Sequence, residues 1–442
     1  MTSAVGAMSS SGISSRSAPA IDLPARFLAF ALVDLLFVGL TAPFAMPLLL
    51  TGYYQSKLLV FVHLNTIGVV GVMLVGASYQ LVPVVLQTPI ASERLGRLSF
   101  WCLLAGILAF LSGLYTGALP LLGSGGTLMV LGFAIYIAVL VLTLLRAPLI
   151  DIVGWHIAAS LFGLAGGMTL GLLLALNRGA GFLGGMTLRL LATHIVLMVG
   201  GWVMVLLMGV AYRLIGMFTL SEERLHQRLA HVGLALLVGG VWLLAASAFF
   251  GLPMPFLVTG AGLFFAAHVA FAAQLTRLYR GRRRRGIDIH MPFMILAAVM
   301  GLLAVVLVIM GIVTEAPAVS RIWVAAAWFG IAGMAETAMM GMFYKIATFL
   351  LWLRSYAPLA GRYKVPRLEE LYRRRLALIG FAVWLAGLVV SAGALLLDSR
   401  AIIFLSGITI AIGIGCFLGN VVRIARHWRV PELQPRVRTT TR

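Results

Sequence analysis

Long apolar runs recur along the whole chain, and they restrict the fold more than any other feature of the sequence. Each run has about 18 to 25 residues, enough for an α-helix to cross a hydrocarbon core of roughly 30 Å. Lipid offers the backbone no hydrogen-bond partners, and the alternation typical of membrane strands is absent, so helices are the spanning form that we expect. Twelve such runs predict an all-α, polytopic membrane protein with 12 transmembrane helices.

The composition indicates that no separate soluble domain accompanies these helices. Of the 442 residues, 62% are hydrophobic and only 10% are charged, whereas soluble domains carry about 25% charged residues. We therefore predict a single transmembrane domain at 25–424. A loose, polar, Ser/Ala-rich tail at 1–24 precedes it, since this stretch lacks the apolar core of a signal peptide. A basic tail at 425–442 follows it.

Positive charge is distributed unevenly between the predicted loops. The formal net charge is +20, and 28 of the 33 Lys and Arg residues lie on the side that holds both termini. The other side holds only Lys57, Arg178, Arg189, Arg321 and Arg400. Because cationic loops stay inside, we expect both termini in the cytoplasm and the protein in the inner (plasma) membrane of a prokaryote. The arginine runs at 280–285 and 371–375 favour anionic lipid headgroups, not nucleic acid, as their partner.

Three segments share one pattern at offsets of 133 and 132 residues. In each, two glycines eight residues apart are followed three residues later by a tyrosine. These residues are Gly68, Gly76 and Tyr79; Gly201, Gly209 and Tyr212; and Gly333, Gly341 and Tyr344. A lone cation stands 11 or 12 residues before each first glycine. The repeat predicts three pseudo-symmetric four-helix units, at about 25–150, 151–285 and 286–424, with the repeated segment as the second helix of each.

The repeated glycines and tyrosines have structural explanations. Small residues let transmembrane helices approach each other closely. Tyrosine is common at membrane interfaces, where its ring lies in the headgroup layer. We therefore expect the glycines to be packing residues and the tyrosines to be interfacial anchors, and we expect neither set to be catalytic.

Two of the repeated segments resemble helices of subunit I of the haem–copper oxidases. "VHLNTIGVVGVMLVGASYQLVP" (62–83) and "THIVLMVGGWVMVLLMGVAYRL" (193–214) are similar to that family's His-x-x-x-x-Gly…Gly-x-x-Tyr helices, especially in its nitric-oxide-reductase-like branches. Twelve helices in three units also match the family along nearly the whole chain. The resemblance implies the family's fold, a bound b-type haem and electron transfer. It also implies other respiratory-complex subunits or a cytochrome as partners.

The resemblance also indicates which cofactor ligands are present. The family's second helix supplies an axial ligand to a low-spin haem, and its sixth helix supplies a histidine to copper; here these positions hold His63 and His194. The two histidine positions of the tenth helix hold Ala326 and Trp328, which cannot bind iron. The seventh helix, which ends "AASAFFGLPM", lacks the family's histidine pair. One histidine does not make a copper site. We expect a haem or a metal at His63 and His194, no copper, and no ordinary oxygen-reductase activity.

Other polar residues inside the spans are also candidates. A haem on His63 needs a second axial ligand, for which His268, Met334, Met339 and Met340 remain. Glu336 lies near the centre of the tenth helix, where a bare carboxylate is so unfavourable that it should be protonated, paired or facing water. Glu336 and the shallower Asp34 are candidates for a proton path.

Two further functions fit the sequence. A chain of the same fold that has lost its cofactors would be a structural or assembly subunit. A secondary transporter would also have twelve spans, and "SERLGRL" (92–98) faintly resembles the loop signature of major-facilitator transporters. Such transporters are built as six plus six helices, and the related "EERLHQRL" (222–229) after the sixth helix assigns this loop to the repeat. We therefore place the transporter third, after the haem- or metal-binding protein and the cofactor-free subunit.

Overall fold

Twelve helices long and apolar enough to cross a membrane form the fold. The computed structural model describes residues 21–51, 54–283, 286, 288–314 and 319–430, and all twelve lie within these ranges. They are α1 (Asp22–Leu50), α2 (Ser56–Val85), α3 (Glu93–Thr116), α4 (Leu119–Leu145), α5 (Ile152–Ala180), α6 (Gly184–Thr219), α7 (Gln227–Phe250), α8 (Met254–Arg280), α9 (His290–Val313), α10 (Arg321–Ser355), α11 (Arg374–Leu397) and α12 (Arg400–Arg426). The predicted all-α transmembrane fold is confirmed.

The first helix starts earlier than the sequence predicts, because Asp22 suits a helix N-terminus. Its carboxylate lies in the first turn, where the helix dipole favours negative charge. It pairs with Arg26 at 3.2 Å and with Arg97 at 3.5 Å. Residues 22–24 are therefore helical and do not belong to the tail predicted at 1–24. Residues 1–20 of that tail, and 431–442 of the predicted C-terminal tail, lie outside the described residues.

Three helices, α2, α6 and α10, form the centre of the bundle. In their most apolar stretches 61 to 72% of the residues are buried, against 33 to 50% in the other nine helices of the described chain. The middle of α10 contacts the middles of α2 and α6. A Cβ on Gly71 of α2 would lie 3.3 Å from the Trp202 ring of α6. The centre is thus a triangle of helices that protein surrounds on all sides.

The outer helices make contacts that recur every four helices. α3 packs along α4, α7 along α8, and α11 along α12. The last helix of each such pair contacts the helix that follows it, and α12 closes the ring on α1. α1, α5 and α9 each pack on the central helix that follows them in the chain. These contacts follow the four-helix period of the sequence, so they support the three predicted four-helix units. The division into these units remains a prediction.

Each central helix contains a π-helical stretch at the same position of the repeat. The stretches are Leu64–Gly71, Val196–Met204 and Phe329–Glu336. Each includes the first glycine of its repeat. π-helical turns are rare, and they are frequent at functional sites. The repeat therefore extends to the backbone geometry, and it places an irregular turn where the three central helices meet.

The repeat glycines allow each central helix to contact the outer helix that precedes it. A Cβ at any of the six would lie within 3.3 Å of an atom of that outer helix. The second glycines and their contacts are Gly76 with Phe27, Gly209 with His156, and Gly341 with Phe293. The first glycines meet residues seven positions further along the same outer helices: Gly68 meets Asp34, Gly201 meets Gly163, and Gly333 meets Met300. These contacts explain the glycines as packing residues.

The repeat tyrosines are enclosed by neighbouring helices, so the predicted role as anchors exposed to the headgroup layer is wrong. Tyr79, Tyr212 and Tyr344 are only 0%, 3% and 2% exposed. The Tyr212 ring packs edge-on against His156 at 5.5 Å, and the Tyr344 hydroxyl accepts a hydrogen bond from Asn420 at 3.2 Å. The nearby glycines let the outer helices approach closely, so protein surrounds these tyrosine rings.

The end of α12 is tied to the end of α10 by two contacts. The Tyr356 hydroxyl lies 2.6 Å from Nδ1 of His427, and the Arg354 guanidinium lies 3.5 Å from the centre of the Trp428 ring. Burial raises the pKa of Tyr356, so its O–H donates the hydrogen bond. Burial lowers the pKa of His427, and the charge of Arg423 lowers it further. The folded state therefore favours a neutral imidazole that accepts this bond.

Acid should loosen this contact. The pKa of His427 is lower in the folded than in the unfolded state, so its contribution to stability is complete above about pH 6.5 and is lost as pH falls below that value. We expect amide hydrogen exchange at 424–430 to accelerate between about pH 7 and pH 5.5, after correction for the intrinsic rate. A His427→Gln variant should lose this dependence. An unchanged pH profile in His427→Gln would assign the effect to another group.

Candidate functional site

His63 occupies the last α-helical position of α2 before its π-helical stretch. Nδ1 lies 2.7 Å from the carbonyl oxygen of Leu59, one turn earlier in the same helix. The ring is half-buried and packs edge-on against Phe110 of α3, with 5.1 Å between the ring centres. An Nδ1–H that donates to this carbonyl leaves the lone pair on Nε2. The His63 ring therefore packs against α3 and keeps Nε2 as its acceptor nitrogen.

His194 of α6 has a similar environment. Its Nδ1 lies 2.7 Å from the carbonyl oxygen of Gly167 in α5. The ring covers Gly171, where a Cβ would lie 2.8 Å from Cε1 of the imidazole. The ring fits between α5 and α6 because Gly171 has no side chain. Here too the carbonyl fixes Nδ1 as the donor and leaves the lone pair on Nε2.

The two histidines occupy similar places in the repeat. They are separated by 131 positions in the sequence, and each lies in the α-helical turn just before the π-helical stretch of its central helix. A histidine that binds a metal through one ring nitrogen commonly donates its other N–H to a carbonyl or a carboxylate, which fixes the tautomer and the ring orientation. Both residues have this second contact. Each histidine therefore has the donor chemistry of a metal-binding imidazole.

The tenth helix supplies no ligand at the places where the resemblance requires two. Trp328 donates its indole N–H to the Ser391 hydroxyl of α11 at 2.7 Å, and Ala326 presents only a buried methyl group. The positions of α10 that correspond to the family's haem ligands therefore hold no side chain that can bind iron. Of the other candidate ligands, His268 and Met334 border Gly301 of α9. Met339 lines an apolar cavity that His63 does not line, and Met340 is buried.

The two acidic candidates, Asp34 and Glu336, are both buried, and they lie on different helices. Asp34 of α1 is 4% exposed. One of its carboxyl oxygens lies 2.6 Å from the position that a Cβ would occupy if Gly68 had a side chain. Glu336 ends the π-helical stretch of α10 and is 1% exposed. In the described part of the chain, one oxygen of Asp34 and both oxygens of Glu336 lack a hydrogen-bond partner. A charged carboxylate without a partner is strongly unfavourable at such a place, so each side chain must be neutral or hold a bound species.

An apolar cavity lies between the halves of α2, α6 and α10 that carry the repeat tyrosines. Its lining includes Met73, Leu206, Met339 and Phe343, with Gln80 as one of its few polar side chains. His63 and His194 do not line it. Within the described ranges, no group of three or more His, Cys, Asp or Glu side chains is placed to hold a metal ion. A centre on His63 and His194 would therefore have no third ligand of these types among the described residues.

Comparisons with other proteins establish the fold. No protein-family model matches the sequence, and no curated protein is similar to it. Among solved structures, a chain of a haem–copper terminal oxidase dimer determined by cryo-EM matches with a TM-score of 0.68 and 12% sequence identity. The match covers 93% of this chain and 85% of that chain. Over almost its whole length, the protein therefore has the twelve-helix fold of a haem–copper terminal oxidase chain.

Proposed function

We propose that this protein transfers electrons within the membrane and binds one metal centre, a b-type haem or a metal ion, through His63 and His194. The observation that supports this function is the matched pair of imidazoles. Each has Nδ1 2.7 Å from a backbone carbonyl, and each keeps Nε2 as a ligand. A redox-active metal bound there would supply one-electron chemistry.

The chain's own residues would hold and shield this centre. The Leu59 and Gly167 carbonyls fix the two rings and raise their basicity as ligands. Gly171 provides the space for the His194 ring, and the Phe110 ring covers one side of His63. Each histidine follows an outer cation, Lys57 or Arg189, by five or six residues. That spacing corresponds to a depth of about 8 Å in the outer leaflet.

This depth determines the kind of partner. An electron donor or acceptor would reach the centre from the outer side of a prokaryotic inner membrane, with both termini in the cytoplasm. A cytochrome or another subunit of a respiratory complex fits this role, while anionic headgroups surround the arginine-rich loops. Two imidazoles without the family's remaining histidines do not form its oxygen-reducing centre, so ordinary oxygen-reductase activity is not part of the proposal.

A second function is favoured by a specific observation. Trp328 and Ala326 occupy the ligand positions of α10 with side chains that are bonded or packed. The Phe110 ring also packs against the His63 ring, with 5.1 Å between the ring centres. Both features suit a cofactor-free structural or assembly subunit of the same fold, in which the histidines only join helices.

Spectra of single variants separate the two functions. The protein is purified in mild detergent from haem- and metal-replete cells, and reduced-minus-oxidised absorption and metal content are measured on one sample. We expect His63→Ala and His194→Ala each to lower occupancy at least about tenfold, because a ligand contributes at least as much as its supporting partner. The control His231→Ala removes an exposed imidazole that contacts its own helix, and it should retain the signal.

The pattern of losses identifies the ligands. A signal that disappears in both His63→Ala and His194→Ala supports a centre between α2 and α6. A signal that survives His194→Ala but not His63→Ala would overturn this pairing and require a ligand from another helix. If wild-type protein has neither a b-type band nor a stoichiometric metal, the structural-subunit function replaces electron transfer.

A further inference from the structure

A polar cavity of about 170 Å³ opens at the end of the bundle where α9 begins and α10 ends. Three parts of the chain line it: the residues that start α9, the last third of α10, and the segment 367–372 that follows α10. One water molecule needs about 10–15 Å³ of such space, so the cavity has room for roughly ten waters or for a ligand of comparable size.

The segment 367–372 that covers this cavity is bonded to the bundle on both sides. Before it, the indole N–H of Trp352 in α10 donates a hydrogen bond to the carbonyl oxygen of Pro366 at 2.8 Å. After it, the backbone N–H of Arg373 donates to the side-chain oxygen of Asn420 in α12 at 2.9 Å. The cavity is therefore a feature of the packed fold and not a gap beneath a loose loop.

The charged side chains that line the cavity form two balanced pairs among the described residues. The inner pair is Lys345 with Asp288, whose side chains are only 11% and 16% exposed. The outer pair is Arg367 with Glu369, which are 4.0 Å apart and mostly exposed at the opening. An anion or a cation alone would leave charge of one sign uncompensated there. A ligand that carries both charges complements this lining.

The cavity lies at the level of lipid headgroups. The 24 residues of α9 span about 36 Å, more than the roughly 30 Å of a hydrocarbon core, so His290 at its start lies outside that core. Ile295, Val299 and Leu303 of the same helix are exposed apolar residues. The first of them follows His290 by five positions, about 8 Å along the helix axis. Acyl chains would therefore have an apolar surface close to a headgroup held in the cavity.

We propose that this cavity binds the phosphoethanolamine headgroup of a zwitterionic phospholipid. The phosphate would accept hydrogen bonds from the Arg367 guanidinium, and the ammonium group would donate hydrogen bonds to the Glu369 carboxylate. Two carbon atoms separate the opposite charges of this headgroup, so both can lie within one pair of the lining. The site does not depend on the centre proposed at His63 and His194. It also differs from the arginine runs, whose charge favours anionic headgroups.

Competition between lipids tests this selectivity. The full-length protein is purified in detergent, delipidated and loaded with isotope-labelled phosphatidylethanolamine, and native mass spectrometry follows displacement of the label by unlabelled lipids with the same acyl chains. Phosphatidylglycerol lacks the ammonium group, and phosphatidylcholine has no N–H to donate. A hydrogen bond to a charged group contributes a factor of about ten or more in affinity. We therefore expect each of these two lipids to compete at least about tenfold more weakly than phosphatidylethanolamine.

Two exposed residues at the opening separate the two halves of the headgroup. Glu369→Gln should lower the preference for phosphatidylethanolamine over phosphatidylglycerol about fivefold, because it removes the partner of the ammonium group. Arg367→Gln should weaken binding of both lipids about fivefold, the upper range for an exposed ion pair. Matched controls are Glu223→Gln, whose carboxylate pairs with Arg283 at 2.9 Å, and Arg362→Gln. Both controls change exposed residues outside the lining and should bind like wild type.

The same titration also contains the results that would overturn the proposal. A wild type that binds phosphatidylethanolamine no more tightly than phosphatidylglycerol would overturn it, as would a Glu369→Gln variant with unchanged preference. Free phosphoethanolamine distinguishes a lipid from a soluble ligand with the same chemistry. We expect it to displace the labelled lipid only weakly, since it lacks the acyl chains. Displacement as effective as that by the unlabelled lipid would overturn the assignment to a phospholipid.

Discussion

Replacing Gly163 with leucine should destabilise the protein by at least about 3 kcal/mol, the upper end of the usual effect of overpacking. A Cβ at Gly163 would lie 2.8 Å from Cα of Gly201 and closer still to its carbonyl group. Backbone atoms cannot move aside as a flexible side chain can, so α5 and α6 must separate. That separation would also move the Gly167 carbonyl away from His194, and the metal occupancy proposed above should fall with it.

The matched control for this variant is Gly262→Leu. Gly262 also lies inside a long helix, α8, but no atom would lie within 4 Å of its Cβ. We expect this change to alter stability by no more than about 0.5 kcal/mol. Thermal unfolding in one detergent, followed by circular dichroism, measures both variants. Equal stability of Gly163→Leu and Gly262→Leu would contradict the close contact of α5 with α6.

Replacing Glu336 with leucine should have a large effect in the opposite direction. Both carboxyl oxygens are buried and lack a described partner, and an unsatisfied polar group costs about 1–3 kcal/mol. A leucine of similar volume removes that cost, so Glu336→Leu should raise stability by an amount in this range. Active sites often contain residues that lower stability. We therefore propose Glu336 for the proton path that the sequence suggests.

Unfolding measurements on two variants test this prediction. Met340→Leu changes a buried side chain one turn further along α10 and should alter stability by less than about 1.5 kcal/mol. If Glu336→Leu lowers stability by more than this control does, the carboxyl group has a stabilising partner such as a bound cation or an ordered water. That outcome would make Glu336 a binding residue and not an unpaired carboxyl.

Sequence reasoning predicts the helices and the position of the repeat, but it cannot predict how each helix is rotated. The paired glycines mark the close contacts because only glycine suits them. The partners of the first glycines, Asp34, Gly163 and Met300, are three different residue types, so no pattern in the sequence reveals that they are equivalent. The π-helical stretches were also not predicted, because the hydrophobic pattern around them is that of an ordinary apolar helix.

The same limit applies to the candidate sites. His63 and His194 are identified by the resemblance, and the resemblance implies a haem ligand on α10, but it does not predict that the His63 ring packs against Phe110 of α3. His268 and Met334 are 66 positions apart and are neighbours only because α8 and α10 both contact Gly301. Contacts of this kind depend on tertiary packing, which the local sequence does not encode.

The most direct measurement of the central claim is the haem and metal content per chain of wild-type protein beside the double variant His63→Ala/His194→Ala. Pyridine haemochrome and elemental analysis on the same purified samples give both numbers. We predict one b-type haem or one redox-active metal ion per chain in wild type, and its loss in the double variant. Equal content in both proteins, or a wild type with neither haem nor metal, would contradict the account.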